Sequence, residues 1–373
     1  MSIYEKLNLK NVINASGKMT TLGVSTIDET VGENMKKAGM SFVKINDLIN
    51  KAGKKIAEYT GAEDACVTVG ASAGIAISTA ACIAKDDLSK IEQLPFSQGL
   101  NNEVILQKGH AINFGAPITQ MISLGGGVPV EVGSSNQVKP SHIEQAINKK
   151  TAALLYVKSH HSVQKGMVSI EDMLEIAAEH NLPLILDGAA EEEFKRYISL
   201  GVDLVIYSGS KALEGPTSGF ITGKENLISY CKLQYEGIGR AMKIGKENIM
   251  GLLKAIQIYF NKNRKKEIRD QKTKMKKLAT KIDKLKGLVA SVIQDEAGRE
   301  IYRTQIKVNP NILGINAFDL IEKLKNGNPA IYTRNHYANL NIINIDPRPL
   351  NEGEIDIIFD RLTEIVKKLK KED

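Results

Sequence analysis

Short apolar runs alternate with helix-period segments through the middle of the chain. Runs at 65–69, 103–107, 128–132, 152–157, 182–186, 204–207 and 219–222 are rich in Val, Ile, Leu and Ala and nearly free of charge. Segments at 73–84, 116–124, 141–147, 169–180 and 195–200 have the apolar spacing of helices. Apolar runs of this length, separated by helices, predict βαβ units around a mainly parallel sheet buried on both faces. From 244 to 288 the pattern is almost wholly helical. Strands are predicted again at 291–293, 301–308 and 340–345, before a last helix at 352–369. The chain therefore divides into an N-terminal arm (1–45), a large α/β domain (46–245) and a smaller C-terminal α+β domain (246–373).

Composition narrows the class. With 42% hydrophobic and 25% charged residues, the chain is globular rather than disordered. No apolar run is long enough for a membrane span. The opening Tyr4-Glu5-Lys6 carries charges where a secretion signal needs an apolar stretch. Cys66, Cys82 and Cys231 are odd in number and set among apolar residues, which predicts buried reduced thiols and a cytoplasmic location. No Cys, His or carboxylate cluster has metal-ligand spacing, so no metal is expected.

The formal net charge of +7 raises the question of nucleic acid. It is concentrated between 261 and 286, where only Glu267, Asp270 and Asp283 stand against many Lys and Arg. Ile268, Met275, Leu278, Ile282 and Leu285 recur there at helical intervals. This predicts an amphipathic helix with a solvated basic face. Few aromatics interleave the lysines to stack on bases, so nucleic acid is not expected as a partner.

Three features of the large domain carry chemistry. Thr68-Val69-Gly70-Ala71-Ser72-Ala73-Gly74 is a small-residue turn from strand to helix, where backbone N–H groups can approach an anion. Leu184-Ile185-Leu186-Asp187 ends an apolar strand in a carboxylate, at the strand end where open α/β sheets bind ligands. Ser208-Gly209-Ser210-Lys211 follows another apolar strand with a lysine, whose amine desolvation would turn into a Schiff-base nucleophile. Phosphate turn, strand-end Asp and strand-end Lys, in that order, are what pyridoxal 5'-phosphate needs: an anchor, a partner for the pyridinium nitrogen and a covalent lysine.

The run Ser208-Gly209-Ser210-Lys211-Ala212-Leu213-Glu214-Gly215-Pro216-Thr217-Ser218-Gly219 resembles the SGxKxLxGPxxG signature of bacterial selenocysteine synthase, the L-seryl-tRNA selenium transferase family. Asn11-Val12-Ile13-Asn14-Ala15-Ser16-Gly17 is similar to that family's VINATG opening. Arg240-Ala241-Met242-Lys243 before a long helix and Asp346-Pro347-Arg348-Pro349-Leu350 near the end also fit. The transferases carry an extra N-terminal domain ahead of this opening, and this chain is expected to do without one. It departs again in Gln107-Lys108-Gly109-His110-Ala111-Ile112, where they carry an arginine-glycine-glutamate segment. Both departures point to the short relatives that resemble the D-glucosaminate-6-phosphate ammonia-lyases.

The resemblance implies a fold-type I, aspartate-aminotransferase-like large domain and a PLP-dependent ammonia-lyase. It would release ammonia from a phosphorylated 2-amino-2-deoxy sugar acid by β-elimination of the C3 hydroxyl. It further implies that Lys211 bonds the cofactor and moves protons, and that Asp187 holds the pyridinium proton. Ala71, Ser72, Ala73 and Ser208 would bind the phosphate. His110 would contact the ring or transfer a proton, and His161 and Arg240 would contact the cofactor, Arg240 in the same or a neighbouring subunit. Arg334, His160, Lys18 and Thr20 are the substrate-binding candidates. A homodimer or larger homo-oligomer is expected. The alternatives are a transferase acting on seryl-tRNA and a non-catalytic RNA-binding or scaffold protein on the same fold.

Overall fold

The computed structural model describes residues 3–159, 161–296 and 299–369. Twelve strands lie among them: β1 Val12–Ala15, β2 Asp64–Thr68, β3 Glu103–Gln107, β4 Val128–Val132, β5 Thr151–Val157, β6 Leu184–Asp187, β7 Leu204–Ser208, β8 Gly219–Gly223, β9 Leu288–Gln294, β10 Tyr302–Val308, β11 Ala330–Thr333 and β12 Ile342–Ile345. The chain forms two compact units, one of residues 27–261 and one of residues 1–26 with 262–373.

The larger unit holds a seven-stranded sheet in the order β2-β8-β7-β6-β5-β3-β4. All pairs are parallel except those of β8, which runs antiparallel to both β2 and β7. Each predicted strand of this domain is present, and the sheet is mainly parallel as expected. Alternate side chains enter two apolar layers. Leu154, Tyr156, Leu186, Val205 and Tyr207 enter one. Leu155, Val157, Ile185 and Ile206 enter the other, with Ile75 and Ile77. Two buried faces explain why these strands read as continuous apolar runs.

Three helices open this unit: α1 Glu29–Gly39, α2 Ile45–Thr60 and α3 Ala71–Ala84. In α3 every residue from Ala73 to Ala84 is buried. Its small side chains permit close approach to the sheet, and a Cβ at Gly74 would lie 2.7 Å from Ile206 Cγ2. A Cβ on Gly53 of α2 would overlap the carbonyl oxygen of Ala65 in β2.

In the smaller unit β12-β10-β9 form an antiparallel sheet, while β1 pairs in parallel with β11, Val12 opposite Ala330 and Ala15 opposite Thr333. Ile13 and Ala15 share its core with Met275, Leu278, Ile306, Ile343, Ile345, Ile358 and Leu362. The predicted domain boundaries therefore shift. A four-residue strand needs a ladder partner, and β1 finds it in β11, so residues 1–26 belong with the C-terminal segment. The helix Lys246–Asn261 belongs with the larger unit, where Ile249, Leu252, Ala255, Ile256 and Tyr259 are buried. The predicted long helix breaks after Asn261, and Asn263 caps the next one, Arg264–Ile282, by accepting from Lys266 N–H at 3.1 Å.

That second helix is the basic one. It buries Met275, Leu278, Ala279 and Ile282. Lys272 lies 3.9 Å from the centroid of the Tyr302 ring, and Lys281 pairs with Asp356 at 2.9 Å. The three cysteines are unpaired and buried, and burial pushes the Cys66 and Cys82 thiols up to about 12. Among the described residues no helix is long and apolar enough to cross a membrane.

Gly53→Ala tests the contact of α2 with β2. The added methyl must displace backbone, so stability falls by about 1–3 kcal/mol, read as a lower urea midpoint with an unchanged transition slope.

Candidate active site

The carboxyl ends of β6 and β7 carry the chemistry. Asp187 pairs with Val157 on one side and Ile206 on the other. Side chains alternate along a strand, so Asp187 and Ser208 face the same layer as Ile185 and Ile206, toward α3. Asp187 is 6% exposed. Its Oδ1 accepts from Ala189 N–H at 3.0 Å, and its carbonyl accepts from Lys158 N–H at 2.9 Å. Burial raises its carboxyl above the ordinary value, against the pull of the Ala189 N–H and the Lys211 charge. Burial lowers the Lys211 amine, and the Asp187 charge opposes that shift. One N–H on a carboxylate leaves acceptor capacity for a further cationic donor.

Lys211 sits on a closed loop between β7 and β8. Gly209 N–H donates to Ser218 O at 2.8 Å, and Gly215 N–H donates to Gly209 O at 2.8 Å. Ser218 Oγ donates to Pro216 O at 2.7 Å. A Cβ on Gly209 would collide with Ser218 Oγ. Glu214 holds a left-handed φ of 55°, uncommon without glycine. The glycines and serines of the signature thus shape the loop, and Lys211 is the residue they present. Ser208 Oγ lies 3.2 Å from Ser210 Oγ.

The phosphate turn joins β2 to α3. Thr68 Oγ1 donates to Gly70 O at 2.9 Å. The first amide engaged in the helix is Gly74 N–H, which donates to Gly70 O at 3.0 Å. Among the described residues the amides of Ala71, Ser72 and Ala73 meet no backbone acceptor. A Cβ on Gly219 would stand 2.8 Å from Gly70 C and 3.0 Å from Ala71 N, so β8 can run beside this turn only as glycine. Uncommitted amides at the N-terminus of a fourteen-residue helix, a buried carboxylate with spare acceptor capacity and a desolvated amine match the phosphate, pyridinium nitrogen and aldehyde of pyridoxal phosphate.

Other candidates fall elsewhere. His110 is 0% exposed, its ring meets Tyr156 edge-on at 4.5 Å, and its Nδ1 accepts from Val157 N–H at 3.2 Å. Its Nε2 is buried and meets no partner among the described residues. Burial, reinforced by the Lys158 charge, pulls its imidazole down to about 4. His161 is exposed, with its N–H on Ser159 Oγ at 3.2 Å, and His160 lies outside the described residues. Arg240 is exposed beside a cleft of about 850 Å³ lined also by Ile45, Leu233, Tyr235 and Lys243. Arg240 lies in the 3-10 segment Ile238–Met242, whose Met242 packs against the same apolar cluster as Ala71.

In the smaller unit Arg334 is half-buried and exchanges backbone hydrogen bonds with Asn344 at 2.9 and 3.0 Å. Lys18 is half-buried, and Thr20 is exposed at the start of a 3-10 turn. Sequence reasoning missed Lys158, which follows β5 beside Asp187 and donates to Gln164 Oε1 at 3.0 Å.

Fold and site define a pyridoxal-phosphate enzyme of fold type I. The solved structure of an aspartate aminotransferase from Thermus thermophilus aligns over 97% of this chain and 94% of its own, with TM-score 0.52 and 14% identity. The profile of SelA, L-seryl-tRNA selenium transferase, matches residues 12–311, and the chain belongs to that family. It is 48% identical to a D-glucosaminate-6-phosphate ammonia lyase of Salmonella typhimurium, over 98% of both chains. A solved D-glucosaminate-6-phosphate ammonia-lyase aligns with TM-score 0.95 and 47% identity, over 99% of both chains. A 5'-C-glycyluridine monooxygenase-decarboxylase of a Streptomyces species is 42% identical, over 97% of this chain and 92% of its own.

Two measurements follow. Lys211→Ala is expected to lose the visible absorbance of covalently held cofactor, while Asp187→Asn keeps some absorbance and loses turnover by at least about a hundredfold. For His110, the unfolded ring takes its proton near 6.5 and the folded ring only near 4. The stability it contributes is complete above 6.5 and is lost as pH falls toward 4, on the order of 2–3 kcal/mol. His110→Gln should therefore show a shallower fall of urea midpoint between pH 7 and 4.5 than the wild type; equal slopes would contradict this.

Proposed function

We propose that this chain is an ammonia-lyase acting on D-glucosaminate 6-phosphate, or a close 2-amino-2-deoxy sugar acid phosphate. The observation that carries the reading is full-length similarity to an enzyme of that name, at 48% identity over 98% of both chains. In this reading Lys211 is the covalent lysine, Asp187 the pyridinium partner, and Ser72, Ser208 and the amides of 71–73 the phosphate anchor.

Bound pyridoxal phosphate supplies an electron sink for negative charge at the substrate Cα. Asp187 keeps a proton on the ring nitrogen, because a buried carboxylate is stabilised by an adjacent cation. Lys211, displaced by the substrate amine, is an uncharged base within its loop and takes the Cα proton. The C3 hydroxyl leaves as water after accepting a proton. The released enamine tautomerises and is hydrolysed, returning that water and giving a 2-keto-3-deoxy acid phosphate and ammonia. Arg334, Lys18 and Thr20 are proposed to bind substrate polar groups.

The proposal extends to a cytoplasmic homo-oligomer. Reduced buried thiols support the location. Arg240 is exposed and is proposed to reach the cofactor phosphate of the same or a neighbouring subunit.

The test is incubation of holoenzyme with D-glucosaminate 6-phosphate under nitrogen. Keto acid and ammonia are expected in equal amounts, without oxygen. Turnover that requires oxygen and releases carbon dioxide, or none at all, would overturn the assignment.

A further inference from the structure

The small sheet ends in an open edge strand. In the order β12-β10-β9, β9 has a ladder partner on one side only. Ala290 N–H donates to Asp283 Oδ1 at 3.0 Å, away from β10, while Asp295 N–H donates to Ile301 O at 2.8 Å, across the β9–β10 hairpin. Along an antiparallel strand successive residues turn their backbone groups to alternate sides. Val289, Ser291 and Ile293 therefore serve β10, and Ala290, Val292 and Gln294 face outward. Among the described residues the Val292 N–H and C=O have no partner.

Other sheet edges carry devices that keep edges from pairing. β4, at one end of the large sheet, contains Pro129 and an exposed Glu131. β2, at the other end, is buried along its whole length. β12 is covered by Arg334, which exchanges two backbone hydrogen bonds with Asn344. At seven residues β9 is longer than any of these, and Leu288-Val289-Ala290-Ser291-Val292-Ile293-Gln294 holds neither charge nor proline. Ala290 and Val292 pack against the core on one face, and Val289 is 57% exposed. An uncharged apolar edge of this kind is a template for another strand.

The flanking charges select which strand. Lys284 and Lys286 are exposed just before β9, where Asp283 is engaged by the Ala290 N–H. Glu296 and Glu300 are exposed just after it, where Asp295 is bound by Arg299 and Arg303. One end of the strand is thus basic and the other acidic. Two copies of β9 running antiparallel about a two-fold axis set each basic end against the other's acidic end, so the match is made twice. The strand between them has no charged side chain to meet its own copy near the axis. A peptide carrying one sign of charge would satisfy only one end.

We propose that β9 pairs with β9 of a second copy of this chain, Val292 opposite Val292, joining two three-stranded sheets into one of six strands. The two Val292 residues exchange both of their outward backbone hydrogen bonds. This gives the homo-oligomer proposed above one of its surfaces, and it does not depend on the substrate assignment.

The experiment measures the mass of the holoenzyme by light scattering and its backbone amide exchange by mass spectrometry. Wild type is expected to contain an even number of chains, with the 288–294 segment exchanging at least about tenfold more slowly in the assembly than on dilution. V292P removes an outward N–H and none that serves β10, so the protomer should keep its cofactor absorbance while the mass halves. K286E and E300K should each weaken association at least about tenfold, and the K286E/E300K double variant should return to within about threefold of wild type. Should V292P lose its cofactor absorbance, the charge swap decides. An undiminished mass in V292P that retains the absorbance, or a double variant that associates no better than the singles, would overturn the pairing and leave the homo-oligomer standing. A wild type that is a single chain at all concentrations would overturn both.

Discussion

A buried carboxylate and a half-buried amine that feel each other's charge set the terms for the larger unit. Burial raises Asp187 and lowers Lys211, and each charge partly restrains the shift of the other. Either group alone would be an expensive solitary charge in an apolar sheet. Together they stay available for chemistry, a lysine easily made neutral and a carboxylate short of donors. The two-sided burial of the sheet creates this setting: the same layers that make the strands continuously apolar also keep water from their ends.

Holding such groups requires backbone that does not move. The loop from Ser208 to Gly219 is tied across itself by the Gly209–Ser218 and Gly215–Gly209 hydrogen bonds. Gly219 lets β8 pass against the turn that opens α3. One strand thus buttresses both the lysine loop and the phosphate turn. A side chain at Gly219 would push on β7 at Tyr207 and on the phosphate turn at once.

Much of this was legible in the sequence, because it rests on local pattern. Continuous apolar runs marked β2 to β8, and polar residues immediately after them marked Asp187 and Lys211. Pairing across long sequence separations was not legible. The strand β1 has only four residues, and nothing in Val12–Ala15 announces that β11 is its partner. The domain boundaries moved for that reason. The burial of His110 was not legible either, because position after a strand does not reveal it; the ring turns inward, onto Tyr156 and the Val157 N–H. Arg303 escaped notice because its partners, Asp295 and Asp346, approach from opposite sides in sequence.

Net charge carries the same ambiguity. A lysine on the exposed face of the Arg264–Ile282 helix and the guanidinium of Arg303 each add one to the +7 of the chain. The lysine is hydrated and screened, and its energy changes little whether or not an anion is near. Arg303 has exchanged water for two carboxylates, and among the described residues its Nη2 meets no acceptor. Fixed geometry and missing hydration set this arginine apart from the lysines of the helix. The basic helix, which holds the larger share of the positive charge, has neither property.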